Sequence, residues 1–100
     1  MASGLLGKQL LSANVSTLLF TSASTPQTFN LRFCNQSSTP AKVRVAIGTG
    51  ASAAAADYIT YDTTLLPNGF LEETGIVCET NEKVWVTSSL ANVSARAFGF

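Results

Sequence analysis

The sequence contains no histidine, and charged residues make up only 12% of its 100 positions. The missing imidazole removes the commonest general base, and with it the Ser-His and Cys-His nucleophile pairs. Two cysteines far apart in the chain, with no histidine, do not assemble a zinc site. No D-x-D-x-D-G run is present for calcium, and "GTGASA" has the wrong spacing for a phosphate-cradling glycine loop. The acids are Asp57, Asp62, Glu72, Glu73, Glu79 and Glu82. Glu72 and Glu73 are neighbours in an apparent strand, so they point to opposite faces. Glu79 and Glu82 flank a turn, where solvated acids are ordinary. Nothing in the sequence brings two acids together as a paired-carboxylate site. The serines of "TSSLANVSARAFGF" have no base beside them. The expectation is a protein without catalytic residues, metal or cofactor.

Other absences narrow the partners. The net charge is zero, and the cations Lys8, Arg32, Lys42, Arg44, Lys83 and Arg96 are scattered. Only Lys42 and Arg44 sit close, as one strand face, which argues against nucleic acid. No apolar run approaches the roughly 18 residues of a membrane span. The stretch "MASGLLGKQLLSANVSTLLF" lacks a basic start, a continuous apolar run and a clear cleavage site, so it does not read as a signal peptide. A reducing compartment is then expected. Cys34 and Cys78 read as small buried hydrophobes, with a Cys34–Cys78 disulfide as the alternative. Trp85 follows both cysteines, so the Cys-Trp-Cys order of an immunoglobulin core is missing. Asn14-Val-Ser, Asn35-Gln-Ser and Asn92-Val-Ser match the glycosylation triplet by chance in a chain rich in these residues.

What the chain does have is alternation. In "TFNLRFCN", Phe29, Leu31 and Phe33 face one way, opposite Asn30, Arg32 and Cys34. "KVRVAIG" repeats the pattern, and the polar "NQSSTPA" between the two runs reads as a hairpin connection. "DYITYDTTL", "FLEETGIVCE", "KVWVTSS" and "NVSARAFGF" continue it, with turns at "LPNG" and "TNE". "GKQLLSA" and "STLLFTSA" favour strands near the N-terminus. About eight short strands with regular turn signals predict one domain, 1–100. Its class is all-β, an antiparallel β-sandwich with jelly-roll or immunoglobulin-like connections. "ASAAAAD" is too short to hold a helix in water. It reads either as a crossing from one sheet to the other through a single helical turn, or as a plain loop.

Sparse charge and 46% hydrophobic residues suggest that part of the surface is covered by a partner. Trp85, Phe98 and Phe100 lie on the faces opposite the small or β-branched residues of their strands. They are either core, with the valines turned outward, or an exposed patch. The chain end at Phe100 suggests a docked last strand. The expected interface residues are Trp85, Phe98, Phe100, Ala53, Ala54 and Ala55.

The ordered pieces "VRVAI", "AAAADYITYD", "LPNGFLEETGIVC" and "EKVWVTSSLANVSARAFGF" resemble a group of small virion proteins of tailed bacteriophages. The resemblance covers nearly the whole chain and is best from Val43 to Phe100. Glu73 stands where a basic residue is expected and Cys78 where an aliphatic one is. The resemblance implies a non-enzymatic structural component of the particle. A capsid decoration or cement protein is the first reading: a symmetric oligomer, trimer favoured, bound to the major capsid protein. A tail, neck or fibre-attachment adaptor is the alternative. A host-surface glycan-binding module is a third reading, with Trp85, Tyr58 and Tyr61 as candidate sugar contacts. All imply a location in the virion.

Overall fold

The computed structural model describes residues 3–23 and 25–100. Met1 and Ala2, part of the stretch weighed as an export signal, lie outside the described residues. The strands are β1 (Gly4–Leu11), β2 (Thr17–Thr21), β3 (Gln27–Asn35), β4 (Ala41–Gly48), β5 (Tyr58–Leu65), β6 (Phe70–Cys78), β7 (Lys83–Ser88) and β8 (Val93–Gly99). They form two four-stranded sheets, ordered β1-β8-β3-β6 and β2-β7-β4-β5, and every named pair is antiparallel. The pairs β1·β8, β2·β7, β3·β6 and β4·β5 are those of one long hairpin folded at its middle. Rolling that hairpin so that its strands divide between two sheets gives a jelly roll. The immunoglobulin-like alternative is set aside by this strand order.

The alternation seen in the sequence marks the core correctly. Phe29, Leu31 and Phe33 of β3 are fully enclosed, as are Val43 and Val45 of β4 and Val84 and Val86 of β7. On β8 the small residues Ala95 and Ala97 are buried, and the aromatics point outward. The valines therefore belong to the core, and the reading of Trp85, Phe98 and Phe100 as core is corrected. Phe20 of β2 meets Phe29 edge-on, with ring centroids 4.9 Å apart, joining the two sheets.

Two connections differ from expectation. β3 and β4 lie in different sheets, so "NQSSTPA" is a crossing and not a hairpin turn. Both strands bury one face, and in a sandwich that pattern does not say which neighbour a strand pairs with. Asn35 fixes the crossing. Its amide Nδ2 donates to the carbonyls of Thr39, Leu65 and Leu66 at 2.9, 3.3 and 3.2 Å. Its Oδ1 accepts from the Ser37 amide at 3.0 Å and the Ser37 hydroxyl at 2.8 Å. Conversely, "ASAAAAD" does not cross between sheets. It joins β4 to β5 within one sheet and is the tip of the rolled hairpin. A single 3-10 turn at Ala55–Asp57 carries it, and the Asp57 carboxylate accepts from the Ala54 amide at 2.9 Å.

The cysteines sit at opposite ends of the β3–β6 pair, where Cys34 is opposite Phe70 and Cys78 opposite Gln27. Both are free. Cys34 is exposed, against the expectation of burial, because its strand position faces outward; Cys78 is buried.

Candidate functional site

The two outer sheet faces carry the chemistry, and they are unlike. The first is the outside of β1-β8-β3-β6. Strand register places Lys8 opposite Arg96, Arg96 opposite Arg32, and Arg32 opposite Glu72. One row across the sheet therefore reads Lys, Arg, Arg, Glu. Like charges directly opposite one another in a sheet are destabilising. The row has one acid against three bases, and Arg32 reaches Glu72 at 3.6 Å. Aromatic rings carry part of the load: the Arg32 guanidinium lies 3.9 Å over Phe70, and Arg96 lies 5.5 Å from the centre of Phe98.

Around that row the face is apolar. Leu5, Leu10, Phe70, Val77 and Phe100 are between 49% and 61% exposed and stand on this one face, with Phe98 half-buried among them. A shallow groove of about 450 Å³ runs along its β1 side, lined by Lys8, Gln9, Leu10, Gln36, Ser94, Ala95 and Arg96. Isolated exposed leucines need no explanation, but a continuous apolar face does.

The second face is the outside of β2-β7-β4-β5. Here two β5 residues, Tyr61 and Asp62, stand opposite the single Arg44 of β4, because the register shifts between Val45 and Val43. Asp62 has a positive φ of 55°, an uncommon conformation for a non-glycine residue. The bulge turns both side chains onto Arg44. Asp62 grips the guanidinium at 2.7 and 3.2 Å, and Tyr61 lies under it at 4.0 Å. Tyr58 meets Tyr61 edge-on at 5.2 Å. The hydrogen bond from Arg44 holds the Asp62 carboxyl below its usual range, and the same bond raises Arg44. Trp85 stands between Leu18 and Ala46 on this face, its indole Nε1 enclosed without a hydrogen-bond partner among the described residues.

The expected interface residues are thus divided. Phe98 and Phe100 lie on the first face and Trp85 on the second. Ala53, Ala54 and Ala55 lie at the tip of the roll, Ala53 half-buried and the other two exposed. The structure does not bring these three groups together. The cationic row is not visible in the sequence because its three cations come from three strands. Only the pairing order aligns them.

The four edge strands share a further feature. The outer pairings β1·β8, β2·β7, β3·β6 and β4·β5 each contain a register shift, whereas the inner pairings β3·β8 and β4·β7 run without one. Bulges at edges obstruct pairing with another chain's strand. The edges are thereby guarded against strand addition by a second chain.

No family model and no curated protein matches the chain. Among solved structures it is similar to a chain of the T13 IBDV viral particle, with a TM-score of 0.55 and 13% identity over 98% of this chain. It is also similar to a chain of the infectious bursal disease virus VP2 subviral particle, with a TM-score of 0.48 and 16% identity over 98% of this chain. At such identities the likeness is one of fold. The chain spans 29% of the length of either viral chain. Among the described residues no helix is long and apolar enough to cross a membrane, and no group of three or more metal-ligating side chains occurs.

Proposed function

We propose that the protein is a non-enzymatic structural component of a tailed-phage particle, and specifically a decoration protein that binds the capsid shell. The observation carrying this reading is the outer face of β1-β8-β3-β6. Three cations are aligned there at a cost to the isolated chain, inside a frame of exposed Leu5, Leu10, Phe70, Val77 and Phe100. Such a face is completed by a partner surface with carboxylates at its centre and apolar residues around them. A shell subunit of that character is the proposed occupant, with Phe98 and Phe100 among the contacts. The fold likeness to a chain of the T13 IBDV viral particle supports the structural role in a virus particle. The sparse charge of the chain agrees with it. The resemblance to phage virion proteins further implies a symmetric oligomer, a trimer in its simplest form, as the unit that binds. Many modest contacts repeated over a shell add by avidity.

The test is the copy number per particle, measured by quantitative mass spectrometry on purified virions. Hundreds of copies are expected. A few to a few dozen would move the protein to the tail, neck or fibres. None would overturn the reading.

A further inference from the structure

We infer that the groove beside Arg44 on the outer face of β2-β7-β4-β5 is a binding site for an anionic saccharide. This inference rests on a different face from the proposed docking surface, so the two stand or fall separately.

The groove has a volume of about 310 Å³ and is lined by Asn14, Lys42, Arg44, Asp62, Thr87 and Ser89. Every lining side chain can hydrogen-bond, and no apolar one is among them. Its walls are fixed by the backbone. The Asn14 amide donates to the Ser88 carbonyl at 2.7 Å, with Asn14 itself at a positive φ of 59°. The Lys42 amide donates to the Ser89 hydroxyl at 2.9 Å, and the Ser89 amide returns a bond to the Lys42 carbonyl at 2.9 Å. Arg44 is held from two sides by Asp62 and Tyr61, leaving its second terminal nitrogen as a pre-oriented donor. The Lys42 ammonium, the Thr87 hydroxyl and the Asn14 side-chain amide make no hydrogen bond to the described residues.

The charges present, Lys42 and Arg44 against Asp62, leave an excess of one positive charge, so the occupant carries negative charge. The density of fixed donors and acceptors suits a polyhydroxylated molecule. A peptide suits the site less well. It would need an apolar anchor pocket or a clean strand edge to extend, and β5 is interrupted by register shifts. Nucleic acid would need a cationic track beyond these two residues. A sugar bearing a carboxylate, as in an acidic cell-surface polysaccharide, meets each requirement.

The test titrates isotopically labelled protein with oligogalacturonate and, separately, with neutral oligogalactose, following backbone amide shifts. Saturable shifts at Asn14, Thr87 and Ser89 with the acidic oligomer alone are expected. Lys42→Ala should weaken that binding roughly tenfold, the loss of one charge-assisted contact. Thr87→Val, a near-isosteric change, should weaken it less and keeps the test open if Lys42→Ala disturbs the fold. Absence of shifts overturns the inference, as do equal shifts with the neutral oligomer. Equal shifts with inorganic phosphate reduce the groove to a simple anion site, and equal shifts with an acidic peptide assign it to protein; either result overturns the saccharide. Unchanged affinity in both variants overturns the placement.

Discussion

The Thr60 hydroxyl on β5 donates a hydrogen bond to the Glu73 carboxylate on β6, joining the edge strand of one sheet to the edge strand of the other. Glu73 turns inward because its register partner is the buried Leu31, while its neighbour Glu72 turns outward to Arg32. The second Glu73 oxygen is enclosed and has no hydrogen-bond partner among the described residues. The carboxylate is therefore held by the one donor that Thr60 supplies.

Removing that donor should be costly. Thr60→Val leaves the Glu73 carboxylate without a partner and should destabilise the fold by about 1–3 kcal/mol. Thr60→Val with Glu73→Leu removes both polar groups and should recover much of the loss. Urea denaturation of the two variants checks this. Equal destabilisation in both would mean that the unpaired Glu73 carboxylate is not the source of the cost.

A second prediction concerns Asn35, which is buried and satisfies carbonyls at two of the connections that cross between the sheets, β3–β4 and β5–β6. Asn35→Leu should strand those carbonyls together, at about 1–3 kcal/mol for each left buried and unpaired. The variant should unfold at markedly lower urea than Asn92→Gly, whose residue is exposed and holds a positive φ of 64° that glycine adopts freely. The same burial means that Asn35, although it opens a glycosylation triplet, presents no side chain to modify.

Strand positions and inward faces were readable because a half-buried strand has a period of two, and Phe29, Leu31 and Phe33 keep it without exception. Pairing was not readable. Nothing local tells β3 that its neighbours are β8 and β6 and not β4. The alanine segment was misplaced for the same reason, since a short loop of small residues serves equally well within a sheet or between sheets. The candidate faces were legible only in part. Phe98 and Phe100 stood out by alternation, but the Lys8–Arg96–Arg32 row exists only once three distant segments are aligned. The Arg44–Asp62 grip depends on a bulge, which periodicity does not report.

The cysteines separate in reactivity and in their pH behaviour. Cys34 is exposed and should react with a thiol reagent in the native protein, whereas Cys78 should react only on unfolding. Burial, reinforced by the nearby Glu82 charge, raises the Cys78 thiol above its ordinary value of 9.0. A raised folded value means that the folded chain keeps this proton more tightly than the unfolded chain. The resulting stability is fully present below the ordinary thiol value and is lost as pH rises through the folded one. Denaturation midpoints should therefore fall with rising pH over that interval. Cys78→Ala should lose that part of the decline, although it also loses packing. One fast and one protected thiol in native labelling is the first check; two fast thiols would contradict the burial.

The last prediction separates folding from docking on the β1-β8-β3-β6 face. Leu10 and Phe70 are exposed by 61% and 60%, so Leu10→Ser with Phe70→Ser removes little buried area. Substitutions at such positions usually change stability by no more than about 0.5 kcal/mol. Phe70 also covers the Arg32 guanidinium, and an exposed cation–π contact is worth about 0.5–1 kcal/mol. The double variant should then fold with a stability within about 2 kcal/mol of the parent, the two substitutions and the cation–π contact taken together. Binding to particles lacking the protein should fall far more, because these side chains supply much of the apolar frame of the proposed interface. Arg96→Glu tests the charge half of the same face. It breaks the cationic row, so the isolated chain should be at least as stable, while a partner presenting carboxylates should bind it more weakly and with altered salt dependence. Co-sedimentation with stripped particles reads binding, and urea denaturation reads stability. Weakened binding at preserved stability in both variants places the partner on this face. Full binding by both would move the contact to the tip around Ala53–Ala55 or to the face of Trp85.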